Sequence, residues 1–164
     1  MAQPASSAPY HAYATIVGTF LAGLGAVSGI AAARNRPLQE PSAIELALLG
    51  LATFKAARVV SRDKVTSFVR EPVVEGHAYD GEDEQPVQSG GMQQALGELV
   101  TCTRCVGTWL GAGLATTQIL APRTGRLLTS VLAAGALNDF MLAGFAALTR
   151  KANEVEQRTG DSSD

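Results

Sequence analysis

The sequence predicts an all-α integral membrane protein of three to four transmembrane helices with juxtamembrane amphipathic helices. Three observations carry that prediction. Charged residues make up only 17% of the 164 residues, against roughly 25% in soluble chains, and the deficit is concentrated in four apolar stretches. Aromatic residues reach only 5% while glycine alone occurs 17 times, a composition suited to close helix packing in lipid. The longest apolar stretches approach the about 20 residues that span a hydrocarbon core.

The elements follow in chain order. Residues 1–11, MAQPASSAPYH, are small, Pro-containing and uncharged, and predict a disordered N-terminus. Residues 12–33 carry no acid or base except Tyr13 and form the clearest span, transmembrane helix 1. A signal peptide is the rival reading, but it needs a positive n-region and a shorter apolar core, and no Lys or Arg precedes Arg34. After a Pro-containing turn, Ser42 and Glu45 have capping-box spacing. They open a helix over 42–60, apolar from Ile44 to Phe54 apart from Glu45, in which Lys55 and Arg58 can snorkel to the interface. It is short, so it reads as transmembrane or re-entrant helix 2.

Residues 61–101 read as juxtamembrane helices and an acidic loop. Val65, Phe68 and Val69 fall at i, i+3, i+4 near Arg62, Lys64 and Arg70, which fits a short helix lying on an anionic membrane surface. A solvated extension of the preceding helix fits equally. Glu71, Glu75, Asp80, Glu82, Asp83 and Glu84 then appear with no Lys or Arg, the pattern of a flexible acidic loop in which His77 is solvated. Met92, Ala95, Leu96, Leu99 and Val100 follow helical spacing and lead into transmembrane helix 3 over 102–121, with Thr101 or Thr103 as its cap. A tight basic turn, APRTGR, precedes transmembrane helix 4 over 127–149. Residues 150–164 form a polar, frayed tail.

Four crossings place both termini and the 61–101 loop on one side. That side carries Arg62, Lys64, Arg70, Arg104, Arg150, Lys151 and Arg158; the other carries Arg34, Arg36, Arg123 and Arg126. The positive-inside rule then puts both termini and the loop in the cytoplasm. Locally, an uncharged N-terminus followed by Arg34 and Arg36 argues for the reverse. A net charge of −2 provides no basic face for nucleic acid. The sequence holds no P-loop, GxGxxG, HExxH or GxSxG.

Three groups of residues could carry chemistry or contacts. The first is Cys102 and Cys105, the only cysteines, placed in the first turn of a helix, where free N–H groups, the dipole and Arg104 stabilise a thiolate. This pair is open to three readings: structural thiols, a redox pair, or half of a zinc site. Zinc requires four ligands as a rule, so two copies would have to supply two thiolates each. The second group is the small-residue spacing Gly25-xxx-Gly29 in the first span and Gly107-xxx-Gly111-xxx-Ala115 in the third, with Trp109 beside the latter at the interface. The third is Asn138 and Asp139 near the centre of the fourth span. An acid there should face the bundle and find a partner, for which Lys55 is the candidate. It reads as a polar pair locking helices together rather than a proton or ion relay, since one acid does not make a pathway.

The segments ATFKAARVVSRDKVTSFVREP and ALGELVTCTRCVGTWLG, with the acidic loop between, resemble a family of small bacterial membrane proteins, domain of unknown function 1360. Arg58, Arg62, Asp63, Lys64 and Thr66 match its basic R-x-x-x-RDK-x-T element. Gly97, Glu98, Leu99, Cys102, Cys105, Gly107 and Trp109 match its GEL-x-x-C-x-x-C-x-G-x-W element. The resemblance covers about residues 42–149. It implies a multi-pass protein of the bacterial cell membrane and no particular activity. The expected function is therefore non-enzymatic: a structural or interaction component of a membrane assembly, embedded in the lipid bilayer as a homo-oligomer or part of a larger complex. The Gly107/Gly111 face and the helix over 92–100 are its expected contacts. No cofactor is required. A membrane thiol oxidoreductase, or a metal-dependent assembly using the CxxC pair, is the alternative.

Overall fold

The computed structural model describes residues 8–35, 40–78 and 84–160, the last through its backbone alone from 155 onward. The predicted disorder of residues 1–7, the turn at 36–39 with Arg36, the acidic Asp80, Glu82 and Asp83, and the last tail residues 161–164 lie outside the described residues, as does the Arg158 side chain. The rest is almost wholly helical: α1 Tyr10–Ala33, α2 Ala43–Arg62, α3 Ser67–Arg70, α4 Met92–Thr101, α5 Thr103–Leu120 and α6 Pro122–Gly160. A two-residue antiparallel ladder, β1 Val74–Glu75 against β2 Gln85–Pro86, pairs Val74 with Pro86 and Glu75 with Gln85.

The helix ends follow local chemistry. Ser42 and Glu45 close the expected capping box: the Glu45 N–H donates to Ser42 Oγ, and the Ser42 N–H to Glu45 Oε2. α1 stops where Asn35 adopts the left-handed conformation, φ 49°, a role Asn fills after a helix C-terminus. Pro122 opens α6, where a missing N–H costs nothing. The α5–α6 corner is so tight that a Cβ on Gly125 would fall 2.5 Å from the Gln118 nitrogen.

α2, α5 and α6 form a three-helix bundle in which α2 packs along both partners. α5 runs antiparallel to α2, since Thr103 meets Ser61 at one end and Gly111 meets Thr53 further along. The core is built from small residues and leucines: Ala52, Leu114 and Ala133, with Leu48, Leu49, Leu51 and Leu132 around them. α1 lies outside this bundle and touches α5 and α4.

Among the described residues two helices are long and apolar enough to cross a membrane, α1 and the Pro122–Glu154 part of α6, rather than the three to four expected. α2 is diluted by Glu45, Lys55, Arg58 and Arg62, and α5 by Arg104 with Thr108, Thr116, Thr117 and Gln118. Several expected boundaries also move. The first helix already includes Tyr10 and His11, the expected segment 42–60 runs to Arg62, and the fourth apolar helix starts at Pro122, not 127. The expected frayed tail is helical through Gly160.

Candidate functional site

The polar residues of the chain gather at the end of the bundle where α2 stops and α5 starts. The α2 terminus is closed by residues well beyond it. The Thr66 hydroxyl donates to the Val59 carbonyl and, at 3.0 Å, to that of Asp63. Arg70 Nη1 donates to the carbonyls of Val60 (2.7 Å) and Asp63 (3.2 Å) and to Thr66 Oγ1 (3.2 Å). The last carbonyls of a helix lack partners within it, and a cation there also meets the negative end of the dipole. The same guanidinium holds Glu84 through a fork, Nε to Oε2 at 2.7 Å and Nη2 to Oε1 at 2.9 Å. Arg70 is 1% and Glu84 7% exposed, so this is a buried, bidentate, charge-assisted pair.

That pair folds part of the stretch expected to be a flexible acidic loop. Glu71 accepts from the Ala78 N–H at 2.8 Å and lies 3.2 Å from His77 Nδ1. The Ala78 N–H, helped by His77, holds the Glu71 carboxyl below the ordinary carboxylate range. The 61–70 segment is neither a single helix nor a plain extension of α2. Two 3₁₀ turns flank the four-residue α3, and Val65 and Phe68 stand uncovered by the chain at 85% and 73% exposure.

α4 buries a face that its apolar spacing marked only in part. Gln94, Ala95 and Gly97 point inward while Met92 and Leu96 are exposed. Gln94 accepts from the Gly90 N–H at 2.9 Å and donates to Glu98 Oε1 at 3.0 Å. Glu98 in turn accepts the Tyr13 hydroxyl, which ties α1 to the cap. Gly97 is pressed on the small sheet: a Cβ there would fall 2.4 Å from the Val73 carbonyl oxygen and 3.0 Å from Pro86 Cβ.

Cys102 and Cys105 are joined as a disulfide, with a Cα–Cα distance of 5.3 Å, within the usual range. The cap of α5 is Cys102 itself rather than Thr101 or Thr103: its Sγ accepts from the Cys105 N–H at 3.3 Å. Thr101 instead donates back to the Gly97 carbonyl, and Thr103 shares a 2.8 Å hydrogen bond with Ser61 of α2. Zinc binds thiolates, so this pair could serve it only after reduction. Among the described residues no group of three or more His, Cys, Asp or Glu is placed to hold a metal ion.

The small-residue motifs divide. Gly107 and Gly111 face α2, where added Cβ atoms would meet Ala57 at 3.6 Å and Thr53 at 3.2 Å. This face is filled within the chain, so it is not available to a second copy as expected. Ala115, a turn further on, is partly buried. Gly25 and Gly29 in α1 have no atom within 4 Å of such a Cβ. Trp109 packs edge-on against Phe20 of α1, with centroids 5.0 Å apart. Asp139 receives Lys55 Nζ at 2.8 Å, the Lys55 stem crossing Gly135 one turn before it, with Cε 3.4 Å from the position of an added Cβ. Asn138 is exposed and does not join the pair.

Arg70–Glu84, the Tyr13–Glu98 contact and the inward Gln94 were not legible as a site. The one signal available was Gly97, a glycine inside an otherwise good helix, which usually has a packing reason.

The chain is thus an all-helical protein with two helices fit to cross a membrane and a hydrogen-bonded cap closing one end of its bundle. It belongs to the family described as protein of unknown function (DUF1360), whose model matches residues 48–144, more than half of the chain. That match takes in α2 from Leu48, the whole cap, α5 and most of α6, and leaves α1 outside. No curated protein and no solved structure matches the chain.

Proposed function

We propose that the protein is a multi-pass structural or interaction component of a membrane assembly. One observation carries the reading: α1 and α6 hold apolar faces that the chain itself does not cover. Only 6% and 11% of their most apolar windows are buried, and Val17, Leu21, Val131, Phe140 and Phe145 all stand exposed. Apolar surface on this scale is covered by lipid or by another protein.

In this reading α2 and α5 cross beside α6, and Lys55 is neutralised by Asp139 within the bundle instead of snorkelling out. Both termini and the cap then share one side. By basic residues in the sequence the cap side carries Arg62, Lys64, Arg70, Arg104, Arg150, Lys151 and Arg158 against Arg34, Arg36, Arg123 and Arg126 opposite, which favours the cytoplasm for the cap, in a bacterial cell membrane. With Gly107 and Gly111 occupied by α2, the small-residue motif left for a second copy or a partner helix is Gly25 and Gly29 on α1.

The test is the mass of the full chain in mild detergent, measured by light scattering. An assembly larger than one chain is expected, returning to a monomer in the Gly25→Leu/Gly29→Leu variant with helicity unchanged. A wild-type chain that stays monomeric in aqueous buffer without detergent overturns the reading.

A further inference from the structure

The Cys102–Cys105 disulfide has two unequal sulfurs. Cys105 is exposed on the first turn of α5, whereas Cys102 is partly buried. The Cys102 sulfur is the one that caps the helix and accepts the Cys105 N–H. A thiolate at that position would be stabilised by free N–H groups and the positive end of the helix dipole. Arg104, exposed between the two cysteines, adds positive charge of the kind that lowers thiol pKa values. A stabilised thiolate is also the better leaving group in disulfide exchange. As a structural staple the bond would do little, since it closes a loop with a sequence separation of 3 and short loops restrain the unfolded chain least. An exposed sulfur to attack and a stabilised sulfur to expel are thus combined in one bond.

We propose that Cys102 and Cys105 form a thiol–disulfide exchange site whose co-reactant is a dithiol. A co-reactant thiolate attacks Cys105 Sγ. The Cys102–Cys105 bond breaks, its electron pair leaves on Cys102 Sγ, and a mixed disulfide joins Cys105 to the co-reactant. The co-reactant's second thiolate then attacks its own sulfur in the mixed disulfide and expels Cys105 as thiolate. The co-reactant is oxidised by two electrons to a disulfide and Cys102 and Cys105 are reduced to thiols, which take up the two protons the co-reactant gives up. This activity does not rest on the proposed role in an assembly, and either can fail alone.

The experiment uses the full oxidised chain in detergent micelles. Dithiothreitol, or a reduced Cys-x-x-Cys peptide, is added, and free thiols are trapped with a maleimide of high mass after an acid quench. Trp109, four residues after Cys105, reports the same event by fluorescence. Reduction is expected in the folded protein at a rate proportional to dithiol, with the helical circular dichroism unchanged; the faster probe identifies a small-molecule or a peptide source. In a second arm oxidised glutathione is added to single variants. Cys102→Ser, which keeps the exposed sulfur, is expected to accumulate the glutathione adduct severalfold faster than Cys105→Ser. Three results overturn the proposal: a disulfide that resists dithiothreitol until the protein is denatured, equal adduct rates in two folded variants, or a reduced protein that retains about one zinc per two chains after dialysis.

Discussion

Arg70→Ala should be among the most damaging single changes in the cap. The guanidinium joins three things at once: the carboxylate of Glu84, the terminal carbonyls of α2 at Val60 and Asp63, and the Thr66 hydroxyl. With Arg70 removed, Glu84 at 7% exposure becomes a buried charge without its counter-ion. Breaking such a pair from one side costs about 3–5 kcal/mol, a large share of the roughly 5–15 kcal/mol that holds a domain together. Arg70→Lys keeps the charge but loses the planar fork that reaches both oxygens, so it should fall between wild type and Arg70→Ala. Arg70→Met combined with Glu84→Leu removes both charges and should recover much of the loss, since an apolar replacement of a buried pair is often neutral. The assay is denaturant unfolding in detergent micelles followed by Trp109, the only tryptophan. If Arg70→Ala costs less than about 1 kcal/mol, the value of an exposed ion pair, the cap is not organised around this residue and the argument fails.

Three further outcomes follow from the same geometry. Gly97→Ala should destabilise the cap by roughly 1–3 kcal/mol, as overpacking does, because its Cβ meets the Val73 backbone oxygen at 2.4 Å; an unchanged unfolding midpoint would contradict that contact. The Glu71 carboxyl is held low by the Ala78 N–H, so its contribution is fully present above the ordinary carboxylate range and is lost as pH falls through the depressed value. The hydrogen-exchange protection of the Ala78 amide should therefore drop in acid, and Glu71→Gln should flatten that dependence. Lys55→Met should cost on the order of 2.5–3.5 kcal/mol if the Asp139 it abandons lies in lipid, and Lys55→Met/Asp139→Leu should restore most of it. A loss below about 1 kcal/mol, typical of a solvent-exposed pair, would place the Lys55–Asp139 pair outside the hydrocarbon.

What the sequence made legible was local or stood out against its surroundings. Ser42 and Glu45 are three residues apart, and a capping box needs nothing more. Asp139 in an apolar run demands a cation, and Lys55 was the candidate in a neighbouring helix, its depth supplied only by the fold. The Arg70–Glu84 pair had neither advantage. Its members are separated by a charged stretch in which any carboxylate could serve, and only the fold brings Glu84 back under α2. α4 misled for a different reason. Apolar periodicity read 92–100 as an amphipathic contact helix, but what it turns to the small sheet is Gly97, against the Val73 carbonyl and Pro86. α5 misled because a hydroxyl is the expected cap, and here a sulfur takes that place while Thr101 and Thr103 bond elsewhere. The difference between two and four helices fit to cross a membrane has the same root. Lys55 of α2 and Gln118 of α5 are met by Asp139 and Thr129 of α6, and hydropathy averaged along one helix cannot register a charge that its neighbour neutralises.

The two segments on which the chain resembles the family meet in this cap and divide the work. The RDK-x-T element, with Arg70 beyond it, ends α2 and turns the chain away from the bundle. The GEL-x-x-C-x-x-C-x-G-x-W element brings the chain back. Gly97 seats α4 on the small sheet, Cys102 starts α5, and Gly107 lets α5 settle on Ala57. Ser61 and Thr103 join the two elements directly. Two residues of the second element, Glu98 and Trp109, face outward from this construction and hold α1, through Tyr13 and Phe20. α1 therefore rests on the family core through Tyr13 and Phe20, among its described contacts, and leaves Gly25 and Gly29 without a neighbour. In the assembly proposed above, this uncovered face of α1 is where a second copy or a partner helix would dock.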